Sequence, residues 1–597
     1  PKPSSAASDV YKRQELAQRL MPHLMVAPIL LPMLAAAIML LFKESQRKTK
    51  ALVNVVAIVL GLGSALLLMA WVDAYDAPSE AGVYLAGNWR APFGIVLVAD
   101  RLSALMLVLT YSVALCSAVF SLSRWDRAGV HFHPLFQLQL MGLSGAFLTG
   151  DLFNLFVFFE IMLAASYGLL LHGSGRPRIS AGLHYVVINL IASSIFLIGV
   201  SMLYGVTGTL NMADMAVKIA LVADADRPVL HAAAAILAVA FLTKAAMWPL
   251  NFWLVPGYSH ATAPVGALFA IMTKVGIYAL LRLYTLMFSP DAGGSAGFGG
   301  LWMIYGGLAT LAFGAVGMIG SQRLGNMAGY SVIVSSGTLL AAVGFGREGL
   351  TGGALYYLLS STLTASAFFL ITDVIERWRN DGSSIAGYEQ EDVAPYLNVD
   401  LEQQEGVNLD EEEEALIGRP IPAATAFLGL GFICIVLLVS GMPPLSGFVG
   451  KVAMLSALLN PHGLQQGASI LTGTITLPMV LLALLILSGL CALIAMSRAG
   501  IRHFWAVEGR GTPRVRLAEG LPIAALLIAC IALTVKGDPV LRYTYATAQS
   551  LHDSNRYISA VLDKDPKPGK VAPTYAPASS PTLPAPDGAA NAPGVLR

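Results

Sequence analysis

Stretches of about 20 consecutive apolar residues, repeated along the chain, decide what this sequence can fold into. MVAPILLPMLAAAIMLLF, ALVNVVAIVLGLGSALLLMAWV and LPMVLLALLILSGLCALIAM are three of them, and each can cross about 30 Å of hydrocarbon as a helix. Length alone would suggest about four soluble domains. Composition argues against that, because 56% of the 597 residues are hydrophobic and only 12% are charged. A soluble core cannot absorb that much apolar sequence, so the expected fold is all-α and membrane-integral. The apolar runs place spans at 24–42, 52–72, 101–122, 134–150, 152–171, 182–206, 230–250, 262–288, 299–320, 327–345, 352–376, 422–455, 475–497 and 519–536. That makes about fourteen transmembrane helices.

Loop charge tests the count, because cytoplasmic loops are rich in Lys and Arg. KESQRKTK follows the first span, SRWDRAG the third, HGSGRPRIS the fifth, SQRLGN the ninth, ERWRN the eleventh and SRAGIRHFWAVEGRGTPRVR the thirteenth. The intervening loops, such as DAYDAPSEAG and SPDAGGSAGFGG, are neutral or acidic. This alternation puts both termini on the outer side. The loop after the seventh span carries no charge and says nothing about its side.

Several classes of function fall away. The net charge is +1, and no basic stripe with interleaved aromatics suggests nucleic acid. Cys116, Cys434, Cys491 and Cys530 stand singly in apolar runs, without the spacing that holds zinc, an iron–sulfur cluster or haem. No metal and no cofactor is expected. No nucleophile–base pair or phosphate loop suggests an enzyme. Residues 1–20 lack an apolar signal core and read as a disordered extension or an artefact ahead of a true start at Met21. The acidic stretch 381–418 reads as a solvated cytoplasmic insertion, and the Pro/Ala-rich tail 561–597 as disordered.

Four charges lie deep in the expected spans: Glu160 in FNLFVFFEIMLAASYGLL, Lys244 in VAFLTKAAMWPL, Lys274 in LFAIMTKVGIYALL and Lys451 in SGFVGKVAMLSALL. A Lys or Asp at a helix centre costs about 2.5–3.5 kcal/mol even on a mild insertion scale. The plainer reading makes them static ion pairs that lock helices together. Apolar residues of similar volume would often stabilise a fold at least as well as a buried pair, so a proton or ion pathway is the favoured reading. Glu160 with one of the lysines is the expected pair. Moving one partner then changes the proton affinity of the other.

Two of these lysines lie near prolines. Lys244 precedes Pro249, and Lys451 follows Pro443 and Pro444 in GMPPLSGFVGK. A proline inside a membrane helix frees a backbone carbonyl, which is tolerated where protein or a hydrated cavity supplies a partner. Discontinuous helices build ion sites in many transporters, and simple kinks are the plainer alternative. The opposite order of lysine and proline in the two segments is what an inverted repeat would give. His260, in PGYSHATAPV, could relay protons because both its states are accessible near neutrality, or could simply close a helix end. Asp373 and Glu376 read as interfacial, and Lys218 as part of a solvated face.

The stretch TKAAMWPLNFWLVPGYSHATAPVGALFAIMTKVGIYALLR closely resembles the signature of the antiporter-like subunits shared by respiratory complex I and the multisubunit Mrp (Pha) cation/proton antiporters. DLFNLFVFFE and GYSVIVSSG fit that family too, and the similarity covers about 24–500. The resemblance implies two inverted five-helix repeats, at 131–298 and 299–500, after N-terminal helices at 21–130. A cytoplasmic loop and last helix follow at 501–560. It also implies broken seventh and twelfth helices and a line of protonatable residues along the membrane midplane. Glu160 matches the family's helix-5 glutamate, Lys244 the helix-7 lysine, Lys274 the basic residue of helix 8 and Lys451 the helix-12 lysine. One departure stands out. Many members read a histidine and then a lysine in helix 11, where this chain has Ser361 and Ala365 in LLSSTLTASAFFL. The central relay is then hydrated rather than charged, or runs differently.

Length, the acidic insertion and the lack of a long lateral C-terminal helix resemble the D subunit of the Mrp/Pha assemblies. The function implied is a proton-conducting subunit of a sodium or potassium/proton antiporter in a bacterial cell (inner) membrane, working with the other subunits of its complex. The alternative is a proton-pumping subunit of complex I or a membrane hydrogenase. A further alternative is a structural subunit whose buried charges only hold the complex together.

Overall fold

The computed structural model describes residues 23–74, 82–383, 422–459, 476–505 and 512–564. The extension at 1–20 lies outside the described residues, as do most of the acidic insertion and most of the tail. Helix follows helix, beginning with α1 (Ala27–Leu41) and α2 (Arg47–Ala74). A two-stranded antiparallel hairpin comes next, β1 (Gly82–Leu85) on β2 (Val96–Ala99), which the apolar-run reading missed because each strand is so short. The chain continues through α3 (Arg101–Ser121), α4 (Phe132–Leu148), α5 (Leu152–Leu170), α6 (Arg176–Thr207) and α7 (Met212–Leu221). Then come α8 (Arg227–Lys244), α9 (Leu254–His260), α10 (Ala263–Met287), α11 (Gly300–Gly320), α12 (Leu324–Phe345) and α13 (Glu348–Ser383). After the insertion follow α14 (Ala423–Ser440), α15 (Ser446–Leu459), α16 (Leu477–Gly500), α17 (Leu517–Val535), α18 (Gly537–His552) and α19 (Ser554–Leu562).

Among the described residues, 12 helices are long and apolar enough to cross a membrane. They are α2, α3, α5, α6, α8, α10 to α14, α16 and α17. The 15-residue α1 and the 17-residue α4 occupy the two remaining expected spans. The expected span 230–250 ends early, with α8 stopping at Lys244, and the expected span 422–455 is divided between α14 and α15.

Local chemistry sets the helix starts. Asp100 caps α3 by accepting from the Ser103 N–H at 2.9 Å, Asp151 caps α5 by accepting from Asn154 N–H at 2.9 Å, and Asn211 caps α7. Pro264 opens α10, where a missing N–H costs nothing. The central helix α10 is buried at every position except the half-buried Tyr284, so it is enclosed by other helices and does not face lipid. α11 and α12 pack through glycines: a Cβ at Gly307 would fall 2.4 Å from Ala341 N, and one at Gly337 2.4 Å from Leu311 N. Small residues let transmembrane backbones approach this closely.

The loops expected on the inner side meet at one end of the bundle. Arg124 pairs with Asp373 at 2.8 Å, Arg377 donates from two nitrogens to the fully buried Glu519, and Arg498 donates to Ile319 O at 2.5 Å. Arg178 Nε–H donates to His260 O at 2.7 Å, which ties the uncharged loop to this same end. At the opposite end, Leu97 bridges to Thr149, Asp151 bridges to Asn211, and Ser554 reaches Ser289 at 3.4 Å. The helices α18 and α19, which the sequence reading did not identify, lie at this opposite end, the one that loop charge leads us to expect outside.

Candidate functional site

Lys244 is the last residue of α8. The helix stops because Ala246 takes a left-handed conformation (φ 56°), which lets Met247 N–H donate to Leu242 O at 3.0 Å and Ala246 N–H to Thr243 O at 3.1 Å. This crossed pair of bonds is a standard way to satisfy terminal carbonyls. The chain then turns through Pro249, with Trp248 N–H donating to Thr310 Oγ1 at 2.8 Å, before α9 begins. α14 ends in the same manner. Gly441 is left-handed (φ 73°), Met442 N–H donates to Leu437 O at 3.0 Å, and the chain passes Pro443 and Pro444 before α15. The turn sequences, AMWPL at 246–250 and GMPPL at 441–445, differ at two positions.

The four charges are held differently. Lys244 is 5% exposed, and its Nζ has no hydrogen-bond partner. It lies 5.3 Å from the centre of the Phe159 ring and within electrostatic reach of Glu160, the next residue on α5. Glu160 Oε1 is likewise buried without a partner, so the expected pair does not hydrogen-bond. Lys274 is 1% exposed and donates to Ser335 Oγ of α12. A Cβ at Gly276 would fall 2.8 Å from Ala245 N. Glycine there lets α10 press against the end of α8, two residues along the helix from Lys274. Lys451, on α15, donates to Ser440 O at 2.8 Å, the carbonyl at the end of α14.

His260 ends α9 and shares a hydrogen bond at 2.8 Å between its Nδ1 and Pro256 O, the helix-closing geometry. Lys218 makes a half-buried i,i+4 ion pair with Asp214 at 2.8 Å. Ser361 donates to Leu358 O at 3.3 Å, and Ala365 is buried.

One buried pair escaped the sequence reading. Arg282 of α10 bonds Asp100 through Nη1–Oδ2 at 2.5 Å and Nη2–Oδ1 at 2.7 Å. Burial pushes the Asp100 carboxyl up, and the Arg282 guanidinium outweighs it, holding the group below its ordinary value. The signal lay in an aspartate at a helix start and an arginine in a helix end far along the chain, which nothing in a single sequence joins.

A family model described as NADH:quinone oxidoreductase/Mrp antiporter, TM, matches residues 149–390 and so takes in Glu160, Lys244 and Lys274. The D subunit of a probable K+/H+ antiporter from Rhizobium meliloti (strain 1021) is 51% identical over 532 residues, which are 89% of this chain and 95% of that protein. The chain belongs to the D-subunit family of multisubunit monovalent cation/proton antiporters. The D subunit of the Na+/H+ antiporter from Alkalihalophilus pseudofirmus is 32% identical across 91% of this chain and 100% of that protein. A chain of the Mrp complex from Dietzia sp. DQ12-45-1b shares the fold, with a TM-score of 0.72 and 24% identity over 91% of this chain and 99% of that one. As a member of the D-subunit family, this multi-pass membrane protein is part of a transporter rather than an enzyme. Family membership also decides against the redox-pump alternative raised by sequence.

Proposed function

We propose that this chain conducts protons through Glu160, Lys244, Lys274 and Lys451 within an antiporter of a bacterial cell (inner) membrane, coupled to cation entry through the other subunits. Potassium is the first cation to test, because the Rhizobium meliloti relative belongs to a probable K+/H+ antiporter. The observation that carries this reading is the bonding of the charges. A static lock predicts contact ion pairs, whereas Lys244 Nζ is unpartnered, Lys274 meets a hydroxyl and Lys451 meets a carbonyl. Lys274 and Lys451, held by neutral groups, can lose a proton without leaving an opposite charge stranded.

In this reading, the segments 244–254 and 440–446 are interruptions in two membrane-crossing helices, and the units 131–298 and 299–500 are inverted repeats. The shared turn sequence and the left-handed residue in each support that reading. The carbonyl ends freed at such interruptions attract cations. Arrival of a cation or proton near Glu160 weakens its hold on Lys244, whose proton then passes towards Lys274. His260, at the inner end, is the candidate entry relay.

The test uses inverted vesicles from an antiporter-deficient host that expresses the chain with its neighbouring subunits. Potassium or sodium should collapse a preformed pH gradient, and Glu160→Gln at equal assembly should reduce exchange about a hundredfold, as expected when a proton-transfer group is lost. Retained exchange in Glu160→Gln would make the buried charge structural.

A further inference from the structure

We propose that a stripe of hydroxyls on α13, reached through Ser335 and Thr338 of α12, carries protons between Lys274 and the α14–α15 interruption, with Tyr357 as its necessary link. The proposal rests on the pathway reading above and names the part that reading leaves open. Lys274 donates to Ser335 Oγ, and Ser335 Oγ–H donates onward to Val332 O at 3.0 Å. Thr338 stands on the same face of α12 as Ser335 and is fully buried. The hydroxyl of Tyr357, a 6% exposed residue of α13, approaches Thr338.

From Tyr357 the α13 face continues through Ser360, Ser361 and Thr364, positions that share one side of a helix. Ser360 Oγ lies 2.8 Å from Ser446 Oγ, and Ser446 opens α15. The backbones meet here too, since a Cβ at Gly450 would fall 3.0 Å from Tyr357 Cα. The stripe therefore runs from the partner of one buried lysine to the first residue of the helix that carries another. Ser361, which donates to Leu358 O at 3.3 Å, lies within it.

Each hydroxyl can donate and accept at once, so a row of them passes a proton by exchanging bonds. Thr338 and Thr364 now donate to Val334 O at 2.9 Å and Ser360 O at 2.7 Å, one turn back in their own helices. A χ1 rotation releases such bonds. A tyrosine hydroxyl cannot reach its own backbone in this way, so Tyr357 needs a partner across the helix gap.

The experiment measures cation-driven proton exchange per assembled complex in inverted vesicles for wild type, Thr338→Ser, Thr338→Val, Tyr357→Phe and Glu160→Gln. Thr338→Ser keeps the hydroxyl and should keep exchange. Thr338→Val keeps the shape and should lose about tenfold, as should Tyr357→Phe, the effect of one bond missing from the rate-limiting passage. If Glu160→Gln abolishes exchange while Tyr357→Phe and Thr338→Val retain it, the stripe is overturned and the pathway survives. If Thr338→Ser and Thr338→Val fall together, the site is packing and the proposal is equally overturned. Exchange retained in Glu160→Gln would remove the pathway itself.

Discussion

Lys244 and Lys451 sit beside the same kind of turn but on opposite sides of it. Lys244 belongs to the helix before the turn and keeps an unpartnered ammonium near a carboxylate and an aromatic ring. Lys451 belongs to the helix after its turn and reaches back to the carbonyl of Ser440. Glycines shape its surroundings. A Cβ at Gly441 would fall 2.6 Å from Lys451 Cδ, and one at Gly489 would fall 2.4 Å from Ser440 O. The first site is therefore governed by charge and the second by steric fit. Two copies of one backbone device serve different needs, depending on which side carries the lysine.

Substitutions can break that contrast, and the largest effect is expected at the second turn. Gly441→Ala places a methyl group in the Lys451 side chain at a left-handed position, so it should reduce exchange about tenfold or more and cost roughly 1–3 kcal/mol of stability. Vesicle exchange and thermal unfolding of the purified complex would read the two effects. Ala246→Gly, the matching change at the first turn, should do the reverse. It relieves a left-handed alanine, leaves exchange intact and stabilises by about 1 kcal/mol. Equal losses at both turns would erase the contrast. Phe159→Leu removes an aromatic face worth about 1 kcal/mol to a nearby cation, so it should lower exchange modestly and alter its pH profile, with no effect on the Lys451 turn.

The smallest effect concerns the inner end, and it bears on how pH profiles of the two sites are compared. Burial lowers the pKa of His172, which bonds Trp125 O at 2.9 Å through Nε2. The folded state favours its neutral form, so the stabilisation it provides is complete above its ordinary value of 6.5 and is lost as pH falls below that. Thermal unfolding should show a slight decline over that range, flattened in His172→Asn. Exchange measured above 6.5 then reports the lysine sites free of this loosening.

The spans were legible because lipid demands long apolar runs, and the alternating loop charges ordered them correctly enough that loops of one sign meet at one end. Glu160, Lys244, Lys274 and Lys451 stood out because charge in such runs is rare. Pro249, Pro443 and Pro444 marked the turns. The left-handed residues were less visible, since an alanine occupies the first and only context makes it turn. The helices α18 and α19 carry too little apolar sequence to register as spans, and the Asp100–Arg282 pair joins residues far apart in the chain. Nothing in a single sequence could show that Lys244 would be left without a bond.

The central claim is that both lysine sites lie on one route. Lys244→Met, Lys451→Met and the double substitution, compared for cation-driven proton exchange per assembled complex, test it most directly. A series route predicts that each single change removes exchange and that the double is no worse, because groups acting as a unit are not additive. Partial losses that multiply in the double variant, or full exchange in either single one, would contradict it.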